Sequence, residues 1–556
     1  MSILKIDMSK KEIITEDFPS DNLVGGRAMI DYLLTQHGSP TAHPLSPEAP
    51  FIAAPGLLSG TSAPQSGRMS FGGKSPLTGG IKEANAGGTA GDKLGRLGIR
   101  AIMISGKSPE WQVLKINADG AALESAGDIV GMENYAACAK LRQRYGEKIA
   151  IIIIGPAGEM KLANSTVAVT DLDNYPARHA GRGGVGAMMG AKGLKAIVVD
   201  STGTSARKGV DADAFKKAVK AAVETIQNNP VRKVFNSLGT NVCIDVDGDR
   251  GSLPTRNHRH GAFENRKGLC SNTMIELNNA RGGSMGTACM PGCIVKCSPI
   301  FYDSDGNHVT SALEYETVAM LGANLGIDNL DSVARMDRRC DELGLDTIEV
   351  GCAIGVLNDV GLFEFGDAAQ AEAYIEEIAQ GSPMGRIIGS GVTQTANIFG
   401  IDRIPAVKGQ GIPAHAGRSV KGWGVTYATS PQGADHTAGV VEDDPLDPVG
   451  QVTRSRTEQI LMAALDATGL CMFTFLNSTP KIIASMVAAL YGVDWSASDF
   501  EELGKEMLRQ ERAFNIKAGI GPEADRLPDW MLTEPLPPTN AVFDVPQEEI
   551  DQLFDF

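Results

Sequence analysis

The run Asp211-Ala-Asp-Ala-Phe-Lys-Lys-Ala-Val-Lys-Ala-Ala-Val-Glu-Thr-Ile226 marks a change of character in the chain. Phe215, Val219, Val223 and Ile226 return at helical spacing on one face, behind Asp211 in the place of an N-cap. Upstream of Gly203 the chain reads as β-rich and glycine-rich. The apolar runs there are short, at 3–6, 101–104, 113–116, 149–154 and 196–199, and mostly end at Gly, Asp or Asn. Residues 3–6 and 12–14 flank a Lys-rich turn and read as a hairpin. Downstream, helical periodicity predicts helices over 330–343, 347–357, 368–379, 457–465, 481–490 and 498–512. The fold class is therefore α+β. A β-rich N-terminal domain spans 1–204, and two mainly α-helical domains follow over 205–405 and 406–556, divided in the Gly/Pro-rich stretch around Pro405.

Composition narrows the function. The 556 residues are 42% hydrophobic and 21% charged, an ordinary globular balance with ample chain to enclose a large cofactor. A net charge of −16 repels nucleic-acid phosphates and anionic membrane faces, so neither is an expected partner. The first residues carry charge throughout and no apolar run approaches a membrane span, which predicts a cytoplasmic protein without membrane insertion. Nine cysteines without export do not read as a disulfide framework.

Ala288-Cys-Met-Pro-Gly-Cys-Ile-Val-Lys-Cys-Ser298 places cysteines at 289, 293 and 297. Pro291 and Gly292 bar plain helix from the first interval, whereas the second fits one helical turn with Cys293 and Cys297 on a shared face. Three thiolates leave a zinc site or a cubane cluster one ligand short. Asp341-Glu-Leu-Gly-Leu-Asp346 and Asp466-Ala-Thr-Gly-Leu-Cys471 echo one another, each after a helical stretch, and the second supplies Cys471 as the fourth ligand. Spacing alone leaves an iron–sulfur cluster, structural zinc and buried free thiols all open. The glycines of the two hexapeptides suit left-handed helix ends, and their aspartates would face two similar ligands. Cys340 and Cys352 read as core residues. The long glycine-rich stretches 60–88 and 181–193 are functional loops by their length.

Assembled in order, these pieces resemble the aldehyde ferredoxin oxidoreductase family. The resemblance runs nearly end to end. It is carried by Val24-Gly-Gly-Arg27, Ser66-Gly-Arg-Met-Ser70, Asn85-Ala-Gly-Gly88, Ala180-Gly-Arg-Gly-Gly-Val-Gly-Ala187, Leu253-Pro-Thr-Arg-Asn257, Tyr315-Glu-Thr317 and Glu534-Pro-Leu-Pro537. It implies a tungsten or molybdenum held by two pyranopterins, a neighbouring 4Fe-4S cluster on Cys289, Cys293, Cys297 and Cys471, and a magnesium bridging the pterin phosphates. Arg68 would lie between cluster and pterin. Asn85 and Gly87 would meet one phosphate region, and Arg178, His179, Gly181 and Arg182 the other. Asp341 and Asp466 would accept hydrogen bonds from the pterin rings, assisted by backbone at Leu345, Asp346 and Leu470.

The implied reaction oxidises an aldehyde to a carboxylic acid and passes electrons to ferredoxin or an iron–sulfur partner subunit. Glu316 and His436 match the family's catalytic pair, with Glu314 a nearby rival to Glu316. Two alternatives stand beside this reading: a tungsten-dependent reductase subunit like that acting on benzoyl-coenzyme A, and a cluster-only electron-transfer subunit. The family often forms homodimers. It commonly has two residues between its first two cluster cysteines; here Met290, Pro291 and Gly292 make three, which leaves the substrate open.

Overall fold

The structure, a computed structural model, describes residues 1–474 and 479–556. In the first sheet, β1 (Ser2–Asp7) forms the expected hairpin with β2 (Glu12–Asp17) and pairs in parallel with β6 (Ile99–Ser105). Then β3 (Phe51–Pro55), β4 (Met69–Lys74) and β5 (Ile81–Ala86) follow antiparallel, for an order β2-β1-β6-β3-β4-β5.

The second sheet repeats this plan. Strand β7 (Gln112–Asn117) forms a hairpin with β8 (Gly120–Ser125) and runs parallel to β12 (Leu194–Val199). Antiparallel β9 (Ala150–Ile153), β10 (Val167–Val169) and β11 (Arg178–Ala180) complete the order β8-β7-β12-β9-β10-β11. The two halves have the same topology strand for strand.

Period-two alternation explains how they pack. Leu4, Ile6, Phe51 and Ala53 of one sheet share a core with Ile152, Val167, Val169 and Ile197 of the other. The alternate residues face outward beneath helices: Ile3, Ile52 and Ala54 meet the helix Gly26–His37, and Ile151, Ile153 and Val198 meet the helix Asn134–Tyr145. Burial on both faces is why these strands read as unbroken apolar runs rather than alternating ones.

Beyond Gly203 the chain is mainly helical. Asp211 caps Ala212–Asn228 by accepting from the Ala214 amide, but the buried stripe is Phe215, Ala218, Ala222 and Ile226, with Val219 and Val223 only part-buried at its edge. The predicted helix over 330–343 is found as Leu330–Leu343. The one predicted over 457–465 is longer, Gln451–Thr468. Its first turns escape the apolar pattern because they bury polar side chains with partners: Gln451 donates to backbone carbonyls, and Ser455 and Gln459 bond to Thr426 and Thr429. Cys340 and Cys352 sit in the core of the helical region, as expected. Among the described residues no helix is long and apolar enough to cross a membrane.

Candidate active site

The duplicated halves deliver matching strand ends to matching helix ends. Leu330–Leu343 terminates at Gly344 (φ 74°) and Gln451–Thr468 at Gly469 (φ 78°), both left-handed as the hexapeptides predicted. Each meets the backbone that follows a strand. A Cβ on Gly56, just after β3, would lie 2.1 Å from the Gly469 nitrogen, and one on Gly155, beyond β9, 2.2 Å from the Leu343 carbonyl oxygen. Only glycine permits either approach.

These contacts bring the hexapeptide carboxylates to the penultimate residues of β5 and β11. Asn85 Nδ2 donates to Asp466 Oδ1 at 3.3 Å, and His179 Nε2 lies 3.1 Å from Asp341 Oδ1. The His179 ring is further fixed by Thr166 Oγ1 at 2.6 Å from Nδ1. Asp341 Oδ2 is buried without a partner. Burial, reinforced by Glu83, pushes the Asp466 carboxyl up, although Arg27 pairs with it at 3.3 Å. The amides of Leu345, Asp346 and Leu470 are already engaged, by Cys340 O, Asn164 O and Thr468 Oγ1. The Asp346 carbonyl is engaged too, accepting from the Val350 amide at 2.9 Å, so none of the three amides, nor that carbonyl, is held in reserve.

The glycines and arginines divide into two kinds. A Cβ on Gly181 would point into open space, and one on Gly87 would lie 3.3 Å from Cys289 Sγ. Arg68 bridges toward the thiols: it donates from Nε to Asn85 Oδ1 and from Nη2 to Asn85 O at 3.2 Å, with Nη1 4.0 Å from Cys471 Sγ. Burial opposes its charge, but Cys471, Cys289 and Asp466 more than offset that and hold it protonated. Arg178 and Arg182, expected at a phosphate, are instead largely occupied by protein. Arg178 donates to Ser298 Oγ at 2.5 Å and Ser311 O at 2.7 Å. Arg182 donates to Ala434 O at 2.7 Å and Gly411 O at 2.5 Å, beside Asp346.

Cys293 and Cys471 share one buried cluster with Met290, with Cys289 packed against it, while Cys297 faces the neighbouring core. The second cysteine interval is not a helical turn. Lys296 takes φ 54°, and its amide turns back to donate to Cys293 Sγ at 3.4 Å. Gln65, also left-handed at φ 56°, ties the segments together: its N–H donates to Gly292 O at 3.1 Å and its carbonyl accepts from the Cys471 amide at 3.1 Å. Burial pushes the Cys471 thiol up, with Arg68 opposing. Among the described residues no three His, Cys, Asp or Glu side chains converge as a chelate for a single metal ion.

Glu316 and His436 do come together. Glu316 lies in the first turn of the helix Tyr315–Leu321, and its Oε2 accepts from the Ala414 amide at 2.9 Å. Oε1 is buried without a hydrogen bond and stands 3.8 Å from His436 Nδ1, itself unpartnered. The rival Glu314 belongs to the cysteine side, where its Oε1 accepts from Ser298 Oγ at 3.0 Å. The two loops that carry the site are pinned from the sheets. Arg182 holds the carbonyls of Gly411 and Ala434, and fully buried Lys82 of β5 pairs with Asp435 at 2.8 Å. Burial acts against the Asp435 carboxylate, but Lys82 and Arg182 hold it well below the usual range.

Sequence reading missed His415, whose Nε2 lies 3.7 Å from Glu316 Oε1, and Asp247 behind it. The only local signal was that His415 is one of just eight histidines, in a stretch read as a domain boundary.

A model of the aldehyde ferredoxin oxidoreductase N-terminal domain matches residues 3–201, and one of domains 2 and 3 of that enzyme matches residues 217–555. The chain is 32% identical over 571 residues to the tungsten-containing aldehyde ferredoxin oxidoreductase of Pyrococcus furiosus, covering 96% of this chain and 91% of the relative. The Pyrococcus horikoshii protein of the same description is 33% identical over 575 residues, with 96% and 92% covered. An aliphatic sulfonate oxidoreductase, WOR-like subunit, of Pyrococcus furiosus is 25% identical over 562 residues, with 93% and 86% covered. In fold, the chain is similar to the active site complex BamBC of benzoyl coenzyme A reductase with 1,5 dienoyl-CoA, at TM-score 0.83 and 19% identity over 100% of this chain and 93% of that one.

Proposed function

The chain belongs to the aldehyde ferredoxin oxidoreductase family and is an oxidoreductase, and from that premise we propose that it oxidises an aldehyde to the carboxylic acid at a tungsten–pterin centre. The observation that carries this reading is the approach of Glu316 Oε1 and His436 Nδ1, two buried polar atoms without hydrogen bonds, to 3.8 Å of one another. Glu316 acts as the base that takes a proton from the water adding to the carbonyl, and His436 donates to the carbonyl oxygen. Water and aldehyde become acid, two protons and two electrons.

The residues fit the cofactors. The duplicated Asn85–Asp466 and His179–Asp341 pairs would hold two pterins in equivalent settings, with open space at Gly181 and the unpartnered Asp341 Oδ2 available to them. Bound there, the metal–pterin group would supply the two-electron redox centre. Cys289, Cys293, Cys297 and Cys471 would hold a 4Fe-4S cluster. Arg68, in contact with both Asn85 and Cys471, marks the passage between the two centres. Ferredoxin or an iron–sulfur partner subunit would accept the electrons singly.

The test is metal, iron and pterin analysis of anaerobically purified protein, with viologen reduction assayed across aldehydes. Tungsten, pterin and aldehyde-dependent reduction are expected together. Fully loaded protein that reduces viologen with no aldehyde would overturn the substrate class, and Glu316→Gln with undiminished activity would overturn the base.

A further inference from the structure

We propose that Asp247 and His415 are positioning residues for Glu316, a buried pair in which the imidazole, clamped by Asp247, holds the Glu316 carboxylate turned toward His436. The inference rests on the reading of Glu316 as base. Its support is geometric. His415 Nδ1 lies 2.9 Å from Asp247 Oδ2, an ion-pair distance although the approach is off-axis for a hydrogen bond, and Nε2 lies 3.7 Å from Glu316 Oε1. The ring is stacked on Trp423, centroids 4.7 Å apart and planes 5° from parallel, which restrains its tilt. Asp247 is built into place from three further sides. Ser252 Oγ donates to Oδ1 at 2.7 Å, Tyr315 OH to Oδ2 at 2.6 Å, and Arg250 Nη1 stands 3.9 Å off.

The backbone makes the arrangement directional. Ala414, the residue before His415, donates its amide to Glu316 Oε2, while Tyr315, the residue before Glu316, places its hydroxyl, with a single proton to share, between Asp247 Oδ2 and Ala414 O. Two adjacent pairs of residues thus grip each other crosswise, leaving only Oε1 free. Charges facing the imidazole are Asp247, with Cys243 and Arg250 on the same helix, Glu316 from the helix Tyr315–Leu321, and Glu442 from the loop that Arg250 reaches at 3.1 Å. His436 lies across Glu316. Carboxylates dominate that set. Although burial acts against the charge, Asp247 and then Glu316 raise the imidazole to about 9, and the same partner holds Asp247 below the usual carboxylate range.

The experiment uses metal- and pterin-loaded enzyme carrying His415→Gln or Asp247→Asn, near-isosteric changes, with metal and pterin content matched to wild type. Two readouts are taken. The first is kcat and KM for aldehyde-dependent viologen reduction. The second is the carboxylate stretching band in the infrared, assigned by its loss in Glu316→Gln. Both variants should lower kcat ~10-fold with KM changed less than about twofold, as when a base is turned out of line and substrate binding is kept. The carboxylate band should shift from its wild-type position in both. An unmoved kcat and unmoved band in both variants would overturn the proposal and leave the pair structural. If Glu316→Gln is fully active while the band still shifts in His415→Gln, the contact with Glu316 stands and the reading of Glu316 as base fails.

Discussion

His179 Nε2 lies 3.1 Å from Asp341 Oδ1 and 3.1 Å from Pro176 O, the counterpart in one half of the N-terminal region of the Asn85 hydrogen bond to Asp466 in the other. The two pairs are not equal in their surroundings. Asp466 also meets Arg27, which is chelated by Glu511 at 2.7 and 2.9 Å, whereas Asp341 keeps one oxygen unpartnered. Hydrogen bonds to a charged group contribute about 1.5–3 kcal/mol, so Asp341→Ala and Asp466→Ala should each weaken pterin retention ~10- to 100-fold. Asp466→Ala should be worse because it also strips a carboxylate from Arg27. Fluorometric pterin assay of washed, anaerobic protein measures this; full pterin content in both variants would refute equivalent pterin sites.

Cys471→Ser should lower iron per chain and change the reduced-state paramagnetic spectrum, because the remaining thiols all come from one segment. Gln65→Gly provides a contrast. Glycine accepts the φ of 56° and keeps both backbone bonds to Gly292 and Cys471, so iron content should stay within about 20% of wild type. A spectrum untouched by Cys471→Ser would remove that residue from the ligand set.

The Lys82–Asp435 pair gives a sharper stability test. Both side chains are buried, and removing one member of such a pair costs about 3–5 kcal/mol because the other charge is stranded. Lys82→Met should therefore lower the denaturation midpoint and reduce kcat/KM, since Asp435 carries His436. Lys82→Met combined with Asp435→Leu should recover much of the stability without the activity. A double variant no more stable than the single one would mean that Lys82 acts through packing.

Some of this was readable in the residues and some was not, for physical reasons. Gly344 and Gly469 announced themselves because a left-handed helix end demands glycine within a short local motif. The strand-for-strand repetition of the two sheets did not. Strands buried on both faces ask only for apolar residues, and Phe51-Ile-Ala-Ala-Pro55 and Ala150-Ile-Ile-Ile153 satisfy that demand with no shared identity beyond it. The helical turn expected between Cys293 and Cys297 fails at Lys296, which takes a positive φ while its amide donates to the Cys293 sulfur, a pairing that spacing does not announce. Asp247, Glu316 and His415 lie far apart in sequence and meet only through the packing of three elements, so no spacing rule could have joined them. Arg178 and Arg182 show the converse: charge near a glycine-rich loop suggested anion binding, yet most of their donors are spent on Ser298, Ser311, Gly411 and Ala434.

His415 also makes stability depend on pH in a stated window. Its folded value of about 9 exceeds the ordinary 6.5, so the folded state binds that proton more tightly than the unfolded chain does. The stabilisation is complete below pH 6.5 and is lost as pH rises toward and through 9. The shift corresponds to about 3 kcal/mol at most, at 1.36 kcal/mol per unit, shared with Asp247 because each holds the other's charge. Asp247, held below the usual range, adds nothing to this alkaline loss; its own contribution disappears only in acid. Wild type should therefore show a falling denaturation midpoint between pH 6.5 and 9 that His415→Gln lacks, with the two proteins closest at the alkaline end. Parallel pH curves for the two would show that folding does not raise the imidazole above its ordinary value.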